Sequence, residues 1–152
     1  MDSNDLKLIA RLMEQARSTW AELGAILGMS APSAADRVRK LEEAGVITGY
    51  SALINPESIG CGLAALISVT LERAEHKAGF LAMVSKLPEI LECHHIAGAE
   101  DYILKIRCSG TRDLERIISE EIKSLPGTKT KTTVILSTVK ETPTLPIKIE
   151  RG

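Results

Sequence analysis

Apolar residues recur at helical spacing over the first third of the chain and at strand spacing afterwards. Leu8, Ile9, Leu12 and Met13 form one stripe, Leu23, Ile26 and Leu27 a second, and Ala34, Val38 and Leu41 a third, which predicts three short helices before Gly45. The second opens with a capping box: the Thr19 hydroxyl accepts from the Glu22 N–H, and the Glu22 carboxylate reaches back to the Thr19 N–H. Gly28 supplies the left-handed residue that ends it. Ser30 caps the third helix, where Pro32 is tolerated because the first turn has no acceptor for its missing N–H. Asp2 and Asp5 complement the dipole at the start of the first helix. Small Gly24 lets the second and third helices approach closely, so the pair reads as a helix-turn-helix covered by the first helix.

Beyond Gly45, the run 46–54 is rich in strand formers and ends at Asn55-Pro56, which predicts a strand, or wing, leading out of the domain. Segment 56–62, with Gly60 and Gly62, is expected to be a linker. A strand is then predicted over 63–71, a helix over 75–87 stopped by Pro88, and a strand over 90–97. A tight turn at 98–101 leads into a strand over 102–108, with Tyr102, Leu104 and Ile106 on one face. A helix carrying Leu114, Ile117, Ile118, Ile122 and Leu125 precedes a β-branched run over 128–139. The order βαββαβ is the ferredoxin-like split motif. The expected fold class is α+β: an N-terminal winged helix-turn-helix followed by a ferredoxin-like βαββαβ domain. Its boundaries are expected at 1–55, a linker 56–62, 63–140, and an extended tail 141–152.

The third helix is the one that a helix-turn-helix places in the major groove of double-stranded DNA. Ser33, Asp36, Arg37 and Lys40 fall around its outer side, and Arg39 is expected to graze the phosphates. A hydrophobic content of 44% suffices for one good core or two small ones. A net charge of −1 and a pI near 6.3 exclude a protein that coats nucleic acid nonspecifically. DNA contact must come from a local patch, Arg37, Arg39 and Lys40 with help from Arg17, and salt must weaken it. Aromatics at 3% leave no base-stacking platform for single strands. Cys61, Cys93 and Cys108 are odd in number and widely separated, which argues for a reducing compartment. No apolar run approaches membrane-spanning length, and Met1 leads into polar residues without a signal peptide, so a cytoplasmic protein is expected.

Cys93-His94-His95, with His76 and Cys108, invites a metal reading. On a strand, however, Cys93 and His95 share one face and His94 the other, leaving too few ligands for structural zinc. Glu100-Asp101 lies near no assignable nucleophile and no catalytic motif is present, so no enzyme and no cofactor are expected. In the first sheet strand Ala65, Ile67, Val69 and Leu71 share one face, and Ala64, Leu66, Ser68 and Thr70 the other. The face turned from the helices must be hidden by a second copy.

Three segments together resemble the Lrp/AsnC (feast/famine) family of transcriptional regulators: 37–47 with Gly49-Tyr50, the turn 98–102, and Leu125-Pro126-Gly127. The resemblance implies a DNA-binding regulator whose ferredoxin-like domain dimerises through its sheets, assembles further, often to octamers, and binds amino acids between dimers. It places the effector at Gly98, Ala99, Glu100 and Asp101, facing a neighbouring dimer and Leu136, Ser137 and Thr138 of the last strand. Chemically, N–H groups near Gly98 can hold an α-carboxylate, and Glu100 or Asp101 can neutralise an α-ammonium. The bland alternative is a plain turn in which Asp101 bonds its own backbone. Ala16 and Trp20 depart from the family pattern, and Trp20 sits where it can pack or meet a phosphate. The competing function is a stand-alone small-molecule-binding or metal-sensing oligomer, which would show a degraded recognition helix, whereas Ser33, Arg37 and Lys40 are present.

Overall fold

Two reciprocal capping boxes start the N-terminal helices in the computed structural model, which describes residues 1–149. Asp2 and Asp5 exchange side-chain-to-N–H bonds of 2.9 Å at the start of α1 (Ser3–Glu14). Thr19 and Glu22 do the same at 3.1 and 2.9 Å for α2 (Trp20–Leu27). Each box satisfies two N–H groups that the first helical turn leaves without intrahelical acceptors. Gly28, at φ 65°, ends α2 in the left-handed conformation, and the Ser30 hydroxyl accepts from the Ser33 N–H at the start of α3 (Ala31–Glu43). Leu8, Leu12, Leu23, Ala34 and Val38 form the core of this unit, with Leu27, Met29 and Ile47 packed against it. The close crossing of α2 with the turn into α3 depends on Gly24. A methyl group there would stand 2.5 Å from the Met29 carbonyl oxygen, inside any tolerable contact.

The expected strand over 46–54 does not form. The N–H groups of Val46 and Ile47 bond instead to the Leu41 carbonyl, at 2.9 and 3.1 Å, and the Tyr50 hydroxyl donates to Glu42 at 2.8 Å. Burial and that carboxylate push the Tyr50 phenol up to about 12. Strand formers need a ladder partner, and the described residues of this unit hold no other strand. Trp20 is 48% exposed, so it packs only in part.

The chain divides into two units, Met1–Ala52 together with the C-terminal segment from Lys140, and Leu53–Val139. In the second, β1 (Leu63–Leu71), α4 (Lys77–Lys86), β2 (Ile90–His95), β3 (Tyr102–Cys108), α5 (Thr111–Arg116) and β4 (Thr128–Ile135) give the βαββαβ order. The sheet runs β2-β3-β1-β4, antiparallel throughout. Ala65, Ile67 and Val69 of β1 and Tyr102, Leu104, Ile106 and Cys108 of β3 meet Phe80 and Met83 of α4 and Leu114 of α5 in one core. Past Arg116, α5 widens into a π-helical turn, Ile117–Ile122. Its i→i+5 bonding brings Ile117 and Ile122, both fully buried, toward one face.

Two expectations change here. Segment 56–62 is a hydrogen-bonded turn of the second unit and not a loose linker, since Asn55 Oδ1 accepts from the N–H groups of Glu57 and Ser58 and the Cys61 N–H bonds to Pro56 O. The last strand stops at Ile135, short of 139, because β1, its only neighbour among the described residues, pairs Ala64 with Ile135 as the last rung. Leu136 and Val139 are left 97% and 101% exposed.

Gly24→Ala is expected to destabilise the first unit by about 1–3 kcal/mol through overpacking. Chemical denaturation of the variant beside wild type checks it, and an unchanged midpoint would contradict the close crossing.

Candidate DNA-binding and effector sites

On α3 the buried residues Ala34, Val38 and Leu41 define the inward stripe. Ser33, Arg39 and Lys40 are exposed, Asp36 is half-exposed, and all four lie away from that stripe. Arg37 occupies the rim, three residues after Ala34 and four before Leu41, and so faces α1. Its Nη1 lies 2.9 Å from Asp2 and 2.8 Å from Asp5. The expectation that Arg37 points outward with Lys40 is therefore corrected: its side chain, 32% exposed, clamps the start of α1 onto the recognition helix. The Asp5 N–H and then Arg37 hold the Asp2 carboxyl below its ordinary value, and the same pairing raises Arg37. The outer cations are not bare either. Asp36 bonds Lys40 at 2.9 Å and Arg39 at 3.3 Å, which lowers the Asp36 pKa, with Lys40 the larger cause.

In the second unit the turn 98–101 joins β2 to β3 beside the end of β1. The Asp101 carboxylate accepts from the Leu71 N–H at 2.8 Å, and the Asp101 N–H bonds to the Val69 carbonyl at 3.0 Å. Asp101 thus ties the turn to β1, while the Glu100 side chain has no bonding partner among the described residues. Gly98 has no left-handed φ, and a methyl group on it would meet only Ile96 Cδ1 at 4.0 Å. Nothing among the described residues requires glycine there.

Leu136, Ser137 and Thr138 lie elsewhere. The turn adjoins the Leu71 end of β1, whereas β4 leaves the sheet at the Ala64 end, roughly 23 Å away at about 3.3 Å per residue. Within one chain the two halves of the expected effector site do not meet. The 136–138 half lines a cavity of about 550 Å³ with Pro56, Glu57, Ala64 and Arg107. Sequence reasoning missed both Glu57 and Arg107. The only available signal was alternation on β3, which puts Arg107 on the face opposite Ile106.

The histidine cluster separates by strand alternation, as expected. Cys93 and His95 face the core side opposite Leu104 and Tyr102, and His94 faces the other side opposite Ile103. His95 stacks on Tyr102 with ring centroids 4.9 Å apart, and His94 lies 3.3 Å from Glu92. Among the described residues no three His, Cys, Asp or Glu side chains gather as metal ligands.

A helix-turn-helix joined to a split βαββαβ unit is the build of a DNA-binding transcriptional regulator. Residues 1–48 match the winged helix-turn-helix DNA-binding model, and residues 64–145 the Lrp/AsnC ligand binding domain. The chain belongs to the Lrp/AsnC family. It is 38% identical over 145 residues to a proline dehydrogenase transcriptional activator of Rhizobium radiobacter, covering 93% of each chain. It is 34% identical over 151 residues to the leucine-responsive regulatory protein of Escherichia coli K12, covering 97% of this chain and 92% of that one. Among solved structures it resembles a Neisseria meningitidis transcriptional regulator in complex with L-methionine, with a TM-score of 0.91, 31% identity and 96% of each chain covered. A feast or famine regulatory protein of M. tuberculosis complexed with L-methionine superposes with a TM-score of 0.85 at 33% identity, covering 92% of this chain and 95% of that one.

Two outcomes are expected at the DNA-binding unit. Asp36→Asn frees Arg39 and Lys40, so nonspecific double-stranded DNA should bind several-fold more tightly, with a log–log salt slope steeper by about one for each phosphate gained. Titrations at several salt concentrations read both. Separately, the lowered Asp2 pKa means that its pairing stabilises the unit fully above the ordinary value of 3.8 and is lost as pH falls below it. Thermal melts should therefore weaken less steeply over that acid range in Arg37→Gln than in wild type.

Proposed function

We propose that this regulator reads a roughly palindromic operator as a homodimer, with α3 in the major groove. We propose further that an α-amino acid binds where the 98–101 turn of one copy meets segment 136–138 of another, in assemblies that grow toward an octamer. Residues 1–55 serve DNA binding, and 63–140 serve assembly and effector binding. The observation that carries the effector site is the sheet register: the two halves sit at opposite ends of β1, so one ligand touching both draws on two copies. Gly98 supports the site because its openness serves no need of the fold and leaves backbone N–H groups approachable by a carboxylate. Gly98, Ala99 and Glu100 form the ligand side of the turn. With Asp101 engaged by Leu71, Glu100 is the carboxylate left to neutralise an α-ammonium. The names and ligands of the relatives support the amino-acid class.

Assembly is supported by apolar surface that one chain leaves bare. Leu53, Ile54, Leu136 and Val139 are all more than half exposed, on segments rich in strand formers that have no ladder partner of their own. On DNA, Ser33 and Lys40 face the groove and Asp36 and Arg39 lie beside them. Arg37 acts from the rim, exchanging part of its hold on Asp2 for a base or phosphate. Free thiols at Cys61, Cys93 and Cys108 support action in the reducing cytoplasm.

Sedimentation velocity at micromolar concentration, with and without the standard L-amino acids, tests the assembly and its response together. At least one amino acid should shift the wild-type distribution, and Gly98→Val should lose that shift while still dimerising. A protein that stays monomeric in every condition would overturn both the dimer and the effector site.

A further inference from the structure

Helix α1 carries two apolar faces, and the core of its unit uses only one. Leu8 and Leu12 are buried in that core with Leu23, Ala34 and Val38. Leu6, Ile9, Ala10 and Met13 recur at i, i+3, i+4 and i+7, roughly 130° around the helix from that pair at ~100° per residue. All four are half-buried, yet none belongs to the core or to the apolar residues packed against it, which are Leu27, Met29 and Ile47. A second apolar stripe two turns long needs a cover of its own.

The other end of the chain supplies it. Residues from Lys140 onward belong to the compact unit of Met1–Ala52 although they follow the last strand of the second unit, so the chain crosses from one unit to the other twice. The Leu145 N–H donates to Met13 Sδ at 3.4 Å, at the C-terminal end of the stripe. Past that bond Ile147 and Ile149 are half-buried, with exposed Lys148 between them. Among the described residues this segment forms no helix and pairs with no strand, so side-chain packing and not a ladder covers the two isoleucines. Pro143 and Pro146 remove two N–H donors and restrict the free segment, which lowers the entropy lost on docking. The lengths also agree: Leu145 to Ile149 reaches about 13 Å when extended, and Leu6 to Met13 spans about 10 Å of helix.

We propose that the outer face of α1 is a docking surface for this chain's own C-terminal segment, with Ile147 and Ile149 seated on Leu6, Ile9, Ala10 and Met13 and the Leu145 N–H as anchor. The docked segment is a strap, a second tether on the DNA-binding unit. It begins two residues after Thr138, and α1 is itself clamped to the recognition helix through Asp2 and Asp5 on Arg37. Whatever holds segment 136–138 therefore acts on α3 through the strap, α1 and that clamp. This coupling rests on the proposed effector site, whereas the docking does not.

Amide hydrogen exchange of α1 in the whole protein, read by mass spectrometry, tests the docking. Ile147→Asp, and a chain ending at Thr142, should each exchange about ten- to a hundred-fold faster in α1 than wild type. Lys148→Asp, on the exposed side of the segment, should match wild type, as should the strands of the second unit in every variant. A synthetic peptide of residues 140–149 should restore protection to the shortened chain. Unchanged α1 exchange in both variants overturns the docking. Should the shortened chain unfold outright, Ile147→Asp decides, since Ile147 lies outside the core cluster of its unit. Protection that falls on dilution in step with dissociation of the oligomer assigns the docked segment to a neighbouring copy and overturns the own-chain strap. For the coupling, α1 exchange is compared with and without the L-amino acid that most raises the wild-type melting temperature. A response in wild type that disappears in Ile147→Asp supports the coupling. Equal responses in the two overturn it and leave the docking standing. A wild type that binds no amino acid overturns the effector reading and the coupling together, and the docking is still decided by the unliganded exchange.

Discussion

Strand β1 pairs on both edges, with β3 and with β4, and the rest of the second unit is set by that double pairing. Because strand side chains alternate, holding Ala65, Ile67 and Val69 in the core commits Ala64, Leu66, Ser68 and Thr70 to the far face. The same register decides which residues are neighbours across the sheet and which are separated along it. It sets Arg107, Ala64 and Ile135 in one row, and it puts the 98–101 turn and the 136–138 segment at opposite ends. A slip of one residue would reverse the faces of all the central residues, so the buried face enforces a register that the functional surface then inherits.

Where β1 ends, its neighbours run out of partners. The stretch beyond Ile135 keeps the composition of a strand but has nothing to pair with among the described residues, and the run 46–54 is in the same position. Backbone groups and apolar side chains that one chain cannot satisfy are the physical reason for expecting a second copy. Within the same unit, Arg116 satisfies itself internally, binding Glu89 and Asp113 at 2.7 Å each and anchoring α5 to the segment that enters β2.

The charges of the DNA-binding unit follow a related logic. A nearly neutral chain presents a recognition helix whose cations are each held by a nearby carboxylate, Arg37 by Asp2 and Asp5, and Arg39 and Lys40 by Asp36. Such exposed pairs contribute little to stability. Their consequence is for binding, because phosphates must compete with carboxylates already in place, which disfavours indiscriminate association and leaves correctly placed contacts to decide.

What the sequence determined by itself was local. The Thr19–Glu22 box, the Gly28 stop and Ser30 cap use groups only a few residues apart, so they could be read before any fold was known, as could the βαββαβ order and the inward faces of β1 and β3. The role of Gly24 was legible too, since a helix-turn-helix leaves little room at that crossing. Only the tertiary structure decided contacts between residues distant along the chain. Arg37 was misjudged because helical periodicity places a side chain on a rim without saying that α1 brings Asp2 and Asp5 to meet it. Strand propensity over 46–54 and 136–139 was real, but a strand exists only where a partner ladder does. Asp101 could serve a ligand or the backbone of its own turn, and only the structure brought the distant Leu71 N–H to its carboxylate. Arg107 and Glu57 are fifty residues apart, and their common cavity depends on cross-strand register and the course of the 55–57 turn, which no spacing along the chain encodes.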